Sequence, residues 1–149
     1  MRKILSIAAI AMIGLFVFAG CSKKSSSPSY SMKATIGSTA FSENTCAAIL
    51  SGTTMSITGY NGSATTPPYL SITIYNYTGA KTYTLDSTAL IPPVVVSYLP
   101  DSNPLDVKAA TSGSVVVTSS SSSTVSGTFS LKCSDGTTIA NGTFTGKGN

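Results

Sequence analysis

From Val125 to Cys133 the chain alternates without a break. Val125, Gly127, Phe129, Leu131 and Cys133 fall on one side, and Ser126, Thr128, Ser130 and Lys132 on the other. A period of two places successive side chains on opposite faces of an extended strand, which a 3.6-residue helix cannot do. The same period recurs from Tyr30 onward, broken by turn formers. Met32, Ala34 and Ile36 form one apolar face, and Gly37-Ser38 then turns the chain toward Phe41. Cys46, Ala48 and Leu50 alternate with Ala47 and Ile49 and read as a mostly buried strand, which Ser51-Gly52 joins to Met55-Ser56-Ile57-Thr58. Leu70, Ile72 and Ile74 share a face, as do Tyr83 and Leu85. Val94-Val95-Val96 follows Pro92-Pro93, and Val115 to Val117 precedes a serine run from Ser119 to Ser123 that reads as a loop.

Asp135-Gly136 turns the chain into a last strand carrying Ile139 and Phe144. Those two lie five apart and cannot share a face on a regular strand. A bulge at Asn141-Gly142 would restore the phase. The pattern predicts an all-β domain of eight or nine short, mainly antiparallel strands. A sandwich and a barrel-like closed meander satisfy it equally well. Outside the first twenty residues no segment carries a helical stripe. The composition agrees: charged residues make up only 9% of the chain, about a third of the usual share. The Ser, Thr, Val, Ile and Tyr that replace them suit strands and turns rather than disorder.

The first twenty residues are different. Met1-Arg2-Lys3 is a basic tip, Ile4 to Phe18 is an apolar run of fifteen residues, and Ala19-Gly20 precede Cys21. This is the layout of a secretory signal with its helical apolar region, and the run is shorter than the roughly twenty residues a spanning helix needs. Phe18-Ala19-Gly20-Cys21 resembles the lipobox of bacterial lipoproteins, with Phe18 standing where Leu is usual. The resemblance implies diacylglyceryl transfer to the Cys21 thiol, cleavage just before Cys21 and acylation of the new amine. Two or three acyl chains then anchor the protein in a lipid bilayer. Residues 1–20 are thus expected to be a signal peptide, residues 21–29 the lipidated cysteine and a flexible tether, and residues 30–149 the all-β domain.

Ser22, rather than Asp, follows the cysteine, and no acidic run comes after it. By resemblance to lipoprotein sorting signals, this points to the outer membrane and its periplasmic leaflet. Lys33-Ala34-Thr35-Ile36-Gly37-Ser38-Thr39-Ala40-Phe41 resembles the opening hairpin of a group of uncharacterised Bacteroidetes envelope lipoproteins. Val125-Ser126-Gly127-Thr128-Phe129 and Asn141-Gly142-Thr143-Phe144 resemble its closing hairpin. That resemblance implies the same fold and address and no activity. Asp86-Ser87-Thr88 resembles a short bacterial O-glycosylation sequon, which would place a glycan on Ser87.

The chemistry on offer is sparse. The chain has no histidine, hence neither the commonest general base nor the commonest zinc ligand. No lysine has a serine three positions upstream, so the Ser-x-x-Lys hydrolase pattern is missing. Glu43, Asp86, Asp101, Asp106 and Asp135 are the only acids, and most fall at turns, where carboxylates usually satisfy backbone groups. Asp101, Asn103 and Asp106 could offer oxygens to calcium, but a polar turn fits so small a set better. No cofactor, no metal site and no enzymatic activity are expected. Loss of Arg2 and Lys3 lowers Lys+Arg from 9 to 7 against five acids, a net +2. Lys23 and Lys24 lie in the tether, so the domain is near neutral and nucleic acid is not an expected partner.

Three cysteines exist, and lipidation consumes Cys21. Cys46 and Cys133, both on apolar strand faces, are therefore expected to pair as a disulfide in an oxidising compartment. If Leu70, Ile72 and Ile74 face the core, Tyr69, Tyr75 and Tyr77 face away beside Ser71 and Thr73, as a contact face for a glycan or an envelope protein. Tyrosine is also simply a good strand residue, and both readings stand at this point. The expectation for function is a membrane-tethered, non-catalytic envelope lipoprotein serving as a binding or structural module. The alternatives are a small inhibitor or immunity-like protein that blocks an envelope enzyme, and a hydrolase of unrecognised chemistry.

The lipobox generates a direct prediction. Cys21→Ala removes the thiol that must be modified before cleavage, so cells should accumulate the full-length precursor. Intact-mass analysis checks this, and an unchanged mature species in the membrane would sink the assignment.

Overall fold

The computed structural model describes residues 29–149; the signal segment and Cys21 lie outside the described residues. Ten strands account for most of the chain: β1 (Ser31–Ile36), β2 (Thr39–Glu43), β3 (Thr45–Ser51), β4 (Thr54–Tyr60), β5 (Tyr69–Ile74), β6 (Thr82–Asp86), β7 (Val94–Leu99), β8 (Lys108–Ser120), β9 (Thr124–Cys133) and β10 (Thr138–Lys147). A single 3₁₀ turn, Pro104–Asp106, is the helical element among the described residues. The all-β expectation holds, with ten strands in place of eight or nine. β2 is short and has one inward apolar residue, Phe41, so it carries almost no alternation signal. The first half of β8, Lys108 to Ser114, has no apolar face and extends the strand well before Val115.

Sandwich and barrel prove to be two views of one arrangement. β3, β4, β5, β7, β8, β9 and β10 close into a seven-strand ring. The β1–β2 hairpin hangs from β10, and β6 from β8. Equally, one sheet runs β2-β1-β10-β9-β8-β6 and a second runs β3-β4-β5-β7. They join at two corners. At one corner, Ser97 and Tyr98 of β7 pair with Ala109 and Lys108 at the start of β8. At the other, Lys147 of β10 pairs in parallel with Ala47 of β3; the remaining pairings are antiparallel.

Corners need bent strands, and both corner strands carry the means to bend. β8 shifts register between Ala110 and Ser112 and again between Val117 and Ser119, with Gly113 at φ +120° between them. β10 shifts between Ile139 and Gly142, with Asn141 at φ +53°. This is the bulge expected at Asn141-Gly142, and Ile139 and Phe144 are both buried.

The inward faces form one core. Met32, Ile57, Leu70, Ile72, Ile74, Val94, Val96, Val115, Val117, Val125 and Ile139 are all but sealed from solvent. β3 departs from the expected mostly buried strand. Cys46 and Ala48 are buried, but Ile49, on the outer face opposite Ser56, and Leu50, beyond the single β10 bridge at Ala47, stay about half exposed. The serine run is also shorter as a loop, since β8 continues to Ser120.

The expected Cys46–Cys133 disulfide is not formed; both are free, buried thiols. Their strands are not neighbours: Cys46 of β3 pairs with Gly59 of β4, and Cys133 of β9 pairs with Ala110 of β8. Burial instead pushes the Cys46 thiol up to about 12 and raises that of Cys133, so each acts as a small apolar filler.

The two sheets approach closely where Gly59 of β4 sits against Met32 of β1. A Cβ at position 59 would lie 2.5 Å from the Met32 Cβ. Gly59→Ala should therefore cost about 1–3 kcal/mol, the usual penalty for overpacking. Urea unfolding checks this, and an unchanged midpoint would show that the sheets can part without cost.

Candidate functional site

The second sheet turns its other face to solvent. Because Cys46, Ala48, Met55, Ile57, Leu70, Ile72, Val94 and Val96 point inward, the intervening residues form an outer grid whose register is fixed by the ladders. Its first row is Thr45, Tyr60, Tyr69 and Leu99, of which Leu99 is buried. The second is Ala47, Thr58, Ser71 and Ser97, with Thr58 Oγ1 and Ser71 Oγ 3.3 Å apart. The third is Ile49, Ser56, Thr73 and Val95. Tyr75 stands at the end of β5, its backbone N–H donating to the Pro93 carbonyl at 2.9 Å. Thr45, Ile49, Val95 and Tyr75 are exposed.

No residue of this grid is charged. No charged side chain occurs anywhere from Asn44 to Ala80, nor from Ser87 to Pro100, and those two runs contain the entire second sheet. The described charges lie on the first sheet, its turns and the loop around Asp101. The charge-free runs could have been read from the sequence and would have marked this face.

Of the three tyrosines expected on one face, the structure brings together two. Tyr69 and Tyr75 lie on the outer side of β5. Tyr77 does not, because the strand ends at Ile74 and Asn76, at φ +51°, breaks the period of two. Tyr77 turns back onto the core, its ring stacked 5.7 Å from Tyr83, and its backbone N–H donates to the Thr53 carbonyl. Its buried hydroxyl has no hydrogen-bond partner among the described residues. Tyr60, paired directly with Tyr69, takes its place on the grid. Sequence reasoning missed Tyr60 because it closes β4 after Gly59, where the apolar alternation has already ended.

The recesses lie on the first sheet, one of them beside the Gly37-Ser38 turn. A groove of about 570 Å³ lies over β8, β9 and β10 beside the Asn141 bulge, lined by Ser114, Thr128, Ser130 and Thr143 among others. A polar cleft of about 420 Å³ lies between Pro100, Asp101, Asp106, Lys108 and Asp135. In that cleft the Lys108 ammonium donates to Asp135 Oδ2, and Thr137 N–H donates to Asp135 Oδ1 at 2.9 Å. The Lys108 bond, then the Thr137 bond, holds the Asp135 carboxyl down at about 2, and the same ion pair raises Lys108. A lysine so paired stays protonated and is no base.

Asp101, Asn103 and Asp106 form a polar turn. Asp101 Oδ1 accepts from Asn103 N at 2.9 Å, Asn103 Oδ1 caps Leu105 N at 3.1 Å, and Asn103 Nδ2 donates to Asp106 Oδ2 at 2.9 Å. Among the described residues no cluster of three acidic or thiol ligands could hold a metal ion. Asp86 Oδ1 likewise accepts from Thr88 N and Thr88 Oγ1, leaving Ser87 exposed at the tip of the turn.

Fold and face together define a small all-β domain, half sandwich and half barrel, with one uncharged outer sheet. Residues 28–146 match a family described as a domain of unknown function (DUF6252), and the chain belongs to that family. No curated protein and no solved structure matches it.

The Lys108–Asp135 pair sets a pH dependence. The folded Asp135 lies below its ordinary value of 3.8, so its contribution is complete above that value and is lost as pH falls toward about 2. The stability difference between wild type and Asp135→Asn should be widest near neutrality and close over that acid range. Denaturant melts at several pH values check it, and a constant difference would refute the coupling.

Proposed function

We propose that this protein is a lipid-anchored, non-catalytic binding module of the cell envelope, held by acylated Cys21 at the periplasmic face of the outer membrane. It makes its contacts through the outer face of the β3-β4-β5-β7 sheet. The observation that carries this reading is the grid itself: Tyr60, Tyr69 and Tyr75 around hydroxyl side chains, held on a rigid sheet rather than on loops. Tyrosine supplies amphipathic contact area at low entropic cost, and Ser and Thr supply adaptable hydrogen bonds.

The non-catalytic part is supported by what the acids are doing. Asp86, Asp101, Asp106 and Asp135 are each committed to hydrogen bonds within their own turns or to Lys108, and Glu43 is buried. The tether is consistent with a role close to the bilayer. The nine residues from Ser22 to Tyr30 reach at most roughly 30 Å when fully extended.

In-cell cross-linking followed by mass spectrometry tests the reading. The full chain should enrich an envelope component, and Tyr69→Ala/Tyr75→Ala should lose about tenfold of that enrichment, the cost of two aromatic anchors. Unchanged far-UV circular dichroism would show that the variant is folded. Equal enrichment by a folded variant would remove the face from the reading.

A further inference from the structure

We infer that the ligand of this face is an uncharged polysaccharide, an inference that rests on the binding-module reading and narrows it. Charge comes first. A polymer carrying carboxylates, sulfates or phosphates would be selected by a cluster of cations at its seat; the outer grid carries none, and the one cation in register with it, Lys147, stands across the β3 edge opposite Ala47. The domain does not lack lysines. Lys33, Lys81, Lys108, Lys132 and Lys147 are all present, and none belongs to the second sheet. Lys147 at the β3 edge apart, their segregation leaves a surface that makes little ionic demand on its partner.

Shape and chemistry supply the rest. Tyr69, Ser71, Thr73 and Tyr75 succeed one another along β5 at every second residue, which spreads them over about 20 Å. An extended glycan laid along β5 meets a tyrosine at each end and a ladder of hydroxyls between. Thr58 and Ser71, opposite each other at the centre, are both donor and acceptor, as sugar hydroxyls are. Tyrosine rings offer apolar faces to sugar C–H groups while their hydroxyls stay in the hydrogen-bond network. The side chains are short or rigid, so little rotamer entropy is lost on contact.

A protein is the competing occupant, since interface cores are likewise poor in charge and rich in tyrosine; the ladder of hydroxyls between Tyr69 and Tyr75 is what favours a glycan.

The test uses the processed, lipidated protein in detergent. Retardation is measured in gels containing dextran, xylan, mannan, a mixed-linkage glucan or alginate. Retardation by at least one neutral polymer that persists at raised salt is expected, since no ion pair is being screened. Tyr75→Ser, at an exposed position where folding is not at stake, should weaken it several-fold. Tyr69→Phe should weaken it less, because the ring remains. Retardation by alginate alone, abolished by salt, would overturn the inference. So would failure of every neutral polymer while cross-linking through the same face captures a protein, a result that leaves the binding-module reading standing. If neither a polymer nor a protein engages the face, both readings fall together.

Discussion

Everything in this molecule depends on two strands that change partners. β8 leaves β7 after Ala109 and takes up β6 from Ser112, while β9 stays beside it throughout. β10 keeps β9 along its length but exchanges β1 for β3 at Lys147. A sheet of ten strands would otherwise have two long open edges and an apolar face too large to cover. Partner exchange folds the sheet back on itself; in β8 it falls at the register shift beside Gly113, while in β10 the Asn141 bulge precedes it by six residues. Gly113 lets β8 bend where it changes partners, and Asn141 restores the phase that turns both Ile139 and Phe144 inward.

The closure explains which parts of the fold were legible in the sequence. Local signals were: the Gly37-Ser38, Ser51-Gly52 and Asp135-Gly136 turns, and the inward faces of β1, β4, β5 and β9, agree with the alternation. Even the bulge in β10 could be inferred, because two apolar residues five apart had to be reconciled. Partner exchange was not legible, since it is a relation between Ala47 and Lys147 or between Tyr98 and Lys108 rather than a property of any segment. The disulfide expectation failed for the same reason. Cys46 and Cys133 both belong to the core, but their separation is set by strand order, which alternation does not encode.

The candidate face shows the same division. Tyr69 and Tyr75 were found from periodicity on β5. Tyr77 was misplaced because one left-handed residue, Asn76, lies before it. Tyr60 required the β4–β5 register. The most discriminating property of the face is a uniform lack of charge across four strands from two separate stretches of chain. It becomes a surface property only when those strands are assembled.

One contact also has a kinetic meaning. The Leu50 N–H donates to Asn149 Oδ1 across 99 positions of sequence, beside the parallel bridge that closes the ring. Loop-closure entropy makes such distant pairings the slowest to form, and folds rich in them reach the native state in milliseconds to seconds rather than microseconds. The β3–β4–β5 meander can assemble from neighbours, but its exposed β3 edge waits for β10. Until β10 arrives, the chain holds a partly built sheet and no barrel. A polypeptide emerging one end first would thus stay open and threadable through most of its synthesis, and would lock only when nearly all of it is available.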